Sequence, residues 1–199
     1  MLLGKGAVKY YRVSGVDNNA CFYGDDKELL KFCSKCKLIV NRYEAAMAAA
    51  ETFVLKKRCD YSSCWDGETV VSQRFVDTYN KYSLSGLSFI KLPRSKNFYL
   101  LQCNIEVRYD YGNNPNLVRR QLCTKCGQYK EVSCVLPIKI LDEDWLKNNA
   151  FYKTDLIVGC VVGRWPLLLA TDDVPHIFQA EKIKDIYFKL CNKADNIKF

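Results

Sequence analysis

Two Cys-x-x-Cys pairs, Cys33-Ser-Lys-Cys36 and Cys123-Thr-Lys-Cys126, constrain this chain more than any other feature. A CxxC turn aims two thiolates at one point, and two such knuckles supply the four soft ligands that tetrahedral zinc prefers. If both pairs serve one structural zinc, the fold must bring two distant stretches together. Gly127 follows the second pair and suits the backbone turn of a knuckle, where a missing Cβ lets amides approach sulfur. Lys35, Lys37 and Lys125 stand in or beside the knuckles and would offset part of the charge of a four-thiolate site.

The interval between the pairs exceeds that of a compact zinc ribbon, so other ligand sets stay open. Cys33 and Cys36 could combine with the nearer Cys59 and Cys64, and Cys134 could join Cys103 in a different set. Cys21, Cys103, Cys160 and Cys191 are expected as reduced thiols packed like small hydrophobes. The total of 11 cysteines is odd, which fits poorly with a full set of bridges. The opening Met1-Leu-Leu-Gly-Lys-Gly lacks the long apolar stretch of a secretory signal. The most apolar run, Leu156 to Ala170, is broken by Arg164 and Pro166 and is too short to span a bilayer. We therefore expect a cytoplasmic protein with no membrane contact, its cysteines thiols or metal ligands rather than disulfides.

A chain of 199 residues, 49% hydrophobic and 26% charged, can bury one core or two small ones. The expected division is an N-terminal segment, 1–66, with the first CxxC and a helix, and an α+β region, 67–199, with the second, packed as one unit. Lys9 to Val13 reads as an opening strand before a Ser-Gly turn, and Asp26 to Phe32 as a helical turn. Asn41-Arg-Tyr-Glu44 has the form of a capping box before an alanine-rich helix ending near Glu51. Ser72 should cap a helix from Gln73 to Tyr82. Strands are predicted over Leu87–Leu92, Phe98–Tyr111, Val118–Leu122, Glu131–Ile140 and Leu156–Val162, with a hairpin tip at Gly112–Asn116 and a short helix over Asp142–Asn148. The fold class that follows is α+β: a mixed, mostly antiparallel sheet, short helices and a pair of zinc knuckles.

The sequence also echoes itself. Val70-Val-Ser72, Phe75, Tyr79, Leu84, Leu87 and Phe89 find ungapped counterparts in Leu169-Ala-Thr171, Val174, Phe178, Ile183, Ile186 and Phe188. Each stretch reads as strand, hydroxyl cap, amphipathic helix and strand ending in Phe. That is the pattern of a duplicated unit, or of two ordinary units alike by chance.

No catalytic residue is assigned. His176 is the single histidine, so metal-hydrolase motifs such as HExxH are absent, as are a GxSxG elbow, a phosphate loop and a dinucleotide fingerprint. A thioredoxin-like role would want a CxxC at a helix start, whereas a strand is predicted after Gly127. The formal charge of +8 permits an acidic partner, but its densest clusters are only Lys56-Lys57-Arg58 and Arg119-Arg120.

With its distant CxxC pairs, the second as CxxCG, the chain resembles a bacterial family named for a doubled CxxCG motif. The likeness extends to Phe151-Tyr-Lys-Thr-Asp-Leu156, Leu168-Leu-Ala-Thr171 and Ile183-Lys-Asp-Ile-Tyr-Phe188, and to Val71 through Phe89. Lys37 stands where that pattern has Gly, and Cys59 and Cys64 are additions to it. The resemblance implies an immunity protein that binds and neutralises a cognate polymorphic toxin, with zinc as scaffold at Cys33, Cys36, Cys123 and Cys126. Two other readings are a zinc-ribbon-like nucleic-acid binder, suggested by charge and by Arg108-Tyr-Asp-Tyr111 and Arg119-Arg120, and an effector enzyme of unrecognised type.

Overall fold

A computed structural model describes residues 8–24, 27–160 and 163–191. The α+β expectation holds. The strands are β1 (Tyr10–Asp17), β2 (Tyr61–Ser63), β3 (Thr69–Ser72), β4 (Leu87–Lys91), β5 (Phe98–Cys103), β6 (Glu106–Val107), β7 (Val118–Leu122), β8 (Tyr129–Ser133), β9 (Phe151–Cys160), β10 (Gly163–Thr171) and β11 (Ile186–Leu190). They form one 11-stranded sheet in the order β4-β5-β3-β2-β1-β10-β9-β8-β7, with β11 on β1 and β6 on β9. The helices are α1 (Arg42–Ala50), α2 (Gln73–Lys81) and α3 (Val174–Ala180). No helix among the described residues is long and apolar enough to cross a membrane.

The sequence echo is a duplication in space. β3-α2-β4 and β10-α3-β11 end their helices alike: Leu84 N–H donates to Tyr79 O, and Ile183 N–H to Phe178 O, each at 3.0 Å. Left-handed residues recur in step, Ser83 with Lys182 and Gly86 with Asp185. Gly86 must be glycine, since a Cβ there would lie 2.0 Å from Phe151 O. The registers agree as well. Val70 lies between Ser62 and Leu100, as Leu169 lies between Tyr152 and Arg12. Phe89 faces Leu101, as Phe188 faces Val13. Two four-stranded units follow, β4-β5-β3-β2 and β11-β1-β10-β9. In the first, β5 directly follows β4; in the second, the equivalent strand is β1, drawn from the opposite end of the chain.

The halves embrace reciprocally. β1 of the second unit extends alongside β2 of the first through Val16–Ser62, and β6, trailing the first unit, extends alongside β9 of the second through Glu106–Lys153, both in parallel. Reciprocal contacts of this kind are the mark of a twofold relation, here within one chain. Between the halves lies a shared core in which α2 and α3 meet, with the Phe75 and Phe178 rings 4.9 Å apart edge to face. Each half also buries its opposite face, the first under α1 with Phe22, Phe53, Val70 and Leu100, the second under Ile138, Ile140 and Leu146 against Tyr10, Tyr152 and Leu169.

Several local expectations are corrected. The strand expected over Phe98–Tyr111 breaks after Cys103, because β6 leaves β5 to pair with β9. Gly112–Asn116 is therefore a loop between strands that do not pair, not a hairpin tip. The strand expected over Glu131–Ile140 is instead Tyr129–Ser133, starting earlier and ending within that region, and Asp142–Asn148 keeps only a 3-10 turn, Glu143–Trp145. The turn near Asp26 is a 3-10 turn at Lys27–Leu29, with Asp26 outside the described residues, as are Val161 and Val162 of the predicted last strand. Asn41 does not cap α1; its side chain accepts from Lys31 N–H at 2.7 Å and donates to Leu29 O at 2.9 Å, tying the first knuckle to the helix start. Ser72 does cap α2, accepting from Phe75 N–H at 3.3 Å. Thr171 caps nothing, since its hydroxyl donates to Lys147 O at 2.8 Å and accepts from Ala150 N–H at 3.0 Å.

Candidate metal centre

The four CxxC sulfurs converge: all lie within 4.8 Å of one another. Cys33 and Cys123 approach to 3.8 Å, and Cys36 and Cys126 to 3.5 Å, each pair 90 residues apart. Tetrahedral thiolates around zinc at about 2.3 Å place neighbouring sulfurs roughly 3.8 Å apart, so the donor set and its spacing fit. Among the described residues, no other group of three or more Cys, His, Asp or Glu side chains gathers in this way. The rival sets are not assembled. Cys64 is buried against the α1 core, where burial and nearby carboxylates push its thiol well up, and Cys59 and Cys134 stand apart. Of the thiols expected to be buried, Cys191 is, Cys103 is partly so, and Cys21 and Cys160 are exposed, a correction for those two.

Each knuckle is built by the same backbone bonds. Cys33 N–H donates to Leu38 O at 2.8 Å and Lys37 N–H to Cys33 O at 2.9 Å; Cys123 N–H donates to Gln128 O at 2.9 Å and Gly127 N–H to Cys123 O at 2.8 Å. The lysines cross between knuckles reciprocally, Lys35 Nζ to Thr124 Oγ1 and Lys125 Nζ to Ser34 Oγ, both at 2.8 Å. The spacing that relates the knuckles also relates Tyr61 of β2 to Phe151 of β9, so the cysteine cluster lies on the internal twofold itself. Gly127 has φ +71 with nothing within 4 Å of a built Cβ, so left-handed backbone rather than crowding calls for glycine. Lys37 takes the same turn at φ 63 and bears the strain of doing so.

The sulfurs differ in their readiness to ionise. Backbone amides of Cys36 and Lys35 aim at Cys33 and bring its thiol down to about 6, and the amides of Cys126 and Lys125 likewise lower Cys123. Burial pushes Cys126 up to about 12. A divalent ion bound by the four sulfurs would displace the thiol protons that remain.

One residue the motif reading passed over is Arg164, from the start of β10. It is 4% exposed, donates to Gln128 Oε1 at 2.7 Å, and leaves its Nε without a partner. Burial lowers its pKa, as does neighbouring Arg42, while Cys126 and Cys36 draw it back up. Gln128 in turn reaches Ile39 O at 3.3 Å, crossing from one knuckle to the other. The signal was present in the sequence: Arg164 is the lone charge within the most apolar run of the chain. A buried guanidinium beside a four-thiolate set supplies counter-charge that exposed lysines cannot. His176 lies exposed on α3.

The sequence matches no protein-family model and no curated protein.

Proposed function

We propose that this is a non-enzymatic binding protein whose two halves are stapled by one structural zinc at Cys33, Cys36, Cys123 and Cys126, and that it serves as an immunity protein capturing a cognate bacterial toxin. The observation that carries the reading is the closed four-sulfur cluster on the internal twofold. All four positions of a tetrahedral ion are filled by protein, the arrangement of structural rather than catalytic zinc. A metal so placed stiffens the whole sheet rather than one loop, and a rigid surface binds without a large ordering cost. The toxin partner rests on the sequence resemblance. Exposed aromatic residues suited to anchor such a partner are at hand, among them Trp65 at 57%, Trp145 at 51% and Tyr187 at 57%.

The test is co-expression with toxins encoded beside the gene. The proposal expects host survival and a complex with one toxin that persists in moderate salt. A nucleic-acid binder would instead retain bound nucleic acid and lose it steeply as salt rises. That reading is favoured by one surface feature, Arg119 stacked over Tyr111 and Tyr129 at 4.9 and 5.2 Å from their ring centroids.

A further inference from the structure

A cavity of about 480 Å³ opens between the two halves, within the size range of small-molecule sites. Its walls come in twofold-related pairs, Leu101 with Val13, Thr69 with Leu168 and Ser63 with Lys153, so it lies on the axis that also passes through the cysteine cluster. The pairing is broken in charge. The second half contributes Lys153 where the first has Ser63, and also Arg12, whose counterpart Leu100 is buried under α1 and does not line the cavity. Both cations are half-buried, and neither forms an ion pair with a carboxylate among the described residues. Arg12 lies within electrostatic reach of Tyr61, and Lys153 of Cys103, two further wall residues. Of the carboxylates in the wall, Glu68 is held by Arg42 at 3.1 Å, and Glu106, the register neighbour of Lys153 across β6 and β9, is exposed and forms no ion pair with it.

From the apolar paired walls and the two cations that form no ion pair we infer that this cavity binds a small organic anion, its apolar body between Leu101 and Val13 and its charge toward Arg12 and Lys153. Half-buried cations without a counter-charge are costly, and an anionic ligand supplies one where the protein does not. This inference concerns a site apart from the cysteines and is independent of the toxin reading.

The probes are anilinonaphthalene sulfonate, an anion with an apolar body, and neutral N-phenylnaphthylamine of similar shape, titrated by fluorescence into the metal-loaded full chain. The sulfonate should bind at one site per chain. Replacing both cations, Arg12→Gln with Lys153→Gln, should weaken it by about tenfold or more while the neutral probe holds its affinity. Leu101→Trp should fill the cavity and abolish both. Should that variant fail to fold, as read by its urea midpoint, Ser63→Tyr at a half-buried position of the same wall takes its place. Absence of sulfonate binding to the wild type, unchanged affinity in the charge variant, or unchanged binding in the filled variant overturns the inference.

Discussion

The first and second halves share strand order, register and knuckle, yet cover their outer faces by different means. In the first, the stretch between knuckle and β2 forms α1, whose Ala45, Ala46, Ala49 and Ala50 pack against Val70 and Leu100. In the second, the equivalent stretch forms β8, irregular chain and a 3-10 turn, and sends Ile138, Ile140 and Leu146 onto Leu169 and Tyr152. What is common to both halves lies near the twofold, where each element must fit its own counterpart. What differs lies far from it, where any apolar cover of sufficient area will do. The comparison thus separates positions fixed by self-complementarity from positions fixed only by burial.

The shared core should be the most sensitive part. Phe75 and Phe178, both fully buried, hold the halves together across the twofold. Either change to Ala should cost about 3–5 kcal/mol in urea unfolding, and the double variant should cost less than the sum because the rings touch. Strict additivity would mean the halves do not depend on each other there.

Arg164 has no twofold mate in the first half, whose β2 and β3 are shorter than β9 and β10 and lack its position. Arg164→Met should weaken zinc retention by about 10–100-fold in a chelator competition. Arg164→Lys should restore part of that loss, a recovery that simple packing would not give.

The irregular cover of the second half is pinned by Asp142, which accepts from Arg108 Nη2 at 2.7 Å and from Arg108 N–H at 2.6 Å. Those bonds from Arg108 hold its carboxyl down at about 2. The stabilisation is therefore present above the unfolded-state value of about 4 and is lost as pH falls through the folded value. Wild type should exceed Asp142→Asn in stability at neutral pH, and the two should converge between about pH 4 and 2. A gap that persists in acid would place the effect elsewhere.

The smallest effect concerns the knuckles. Lys37→Gly should stabilise the protein by about 1 kcal/mol by relieving left-handed backbone, whereas Gly127→Ala should cost a similar amount. Equal and opposite shifts would show that the two turns share one geometry.

Much of this was readable from residues alone. The CxxC pairs, the hydroxyl cap at Ser72 and the helix over Gln73–Lys81 carry local chemistry that needs no tertiary context. The echo between Val70–Phe89 and Leu169–Phe188 was visible because buried faces repeat with the period of the elements that bear them. Other features were out of reach for a physical reason. β1 completes the second unit from the far end of the chain, a choice of partner that local pattern does not encode. Asn41 has the form of a helix cap, but the nearby chain offers its side chain Lys31 N–H and Leu29 O instead. The break after Cys103 is likewise set by β9, a distant strand. For the cysteines, spacing left several ligand sets open, and only the meeting of the halves distinguishes them.

The central claim is that one metal ion on the internal twofold joins the two halves. Zinc content of the purified wild type, measured beside Cys33→Ser and Cys123→Ser, tests it most directly. The account predicts about one zinc per chain in the wild type and its loss in both variants, one from each half. Zinc retained in Cys123→Ser, or none in wild type purified without chelator, would contradict it.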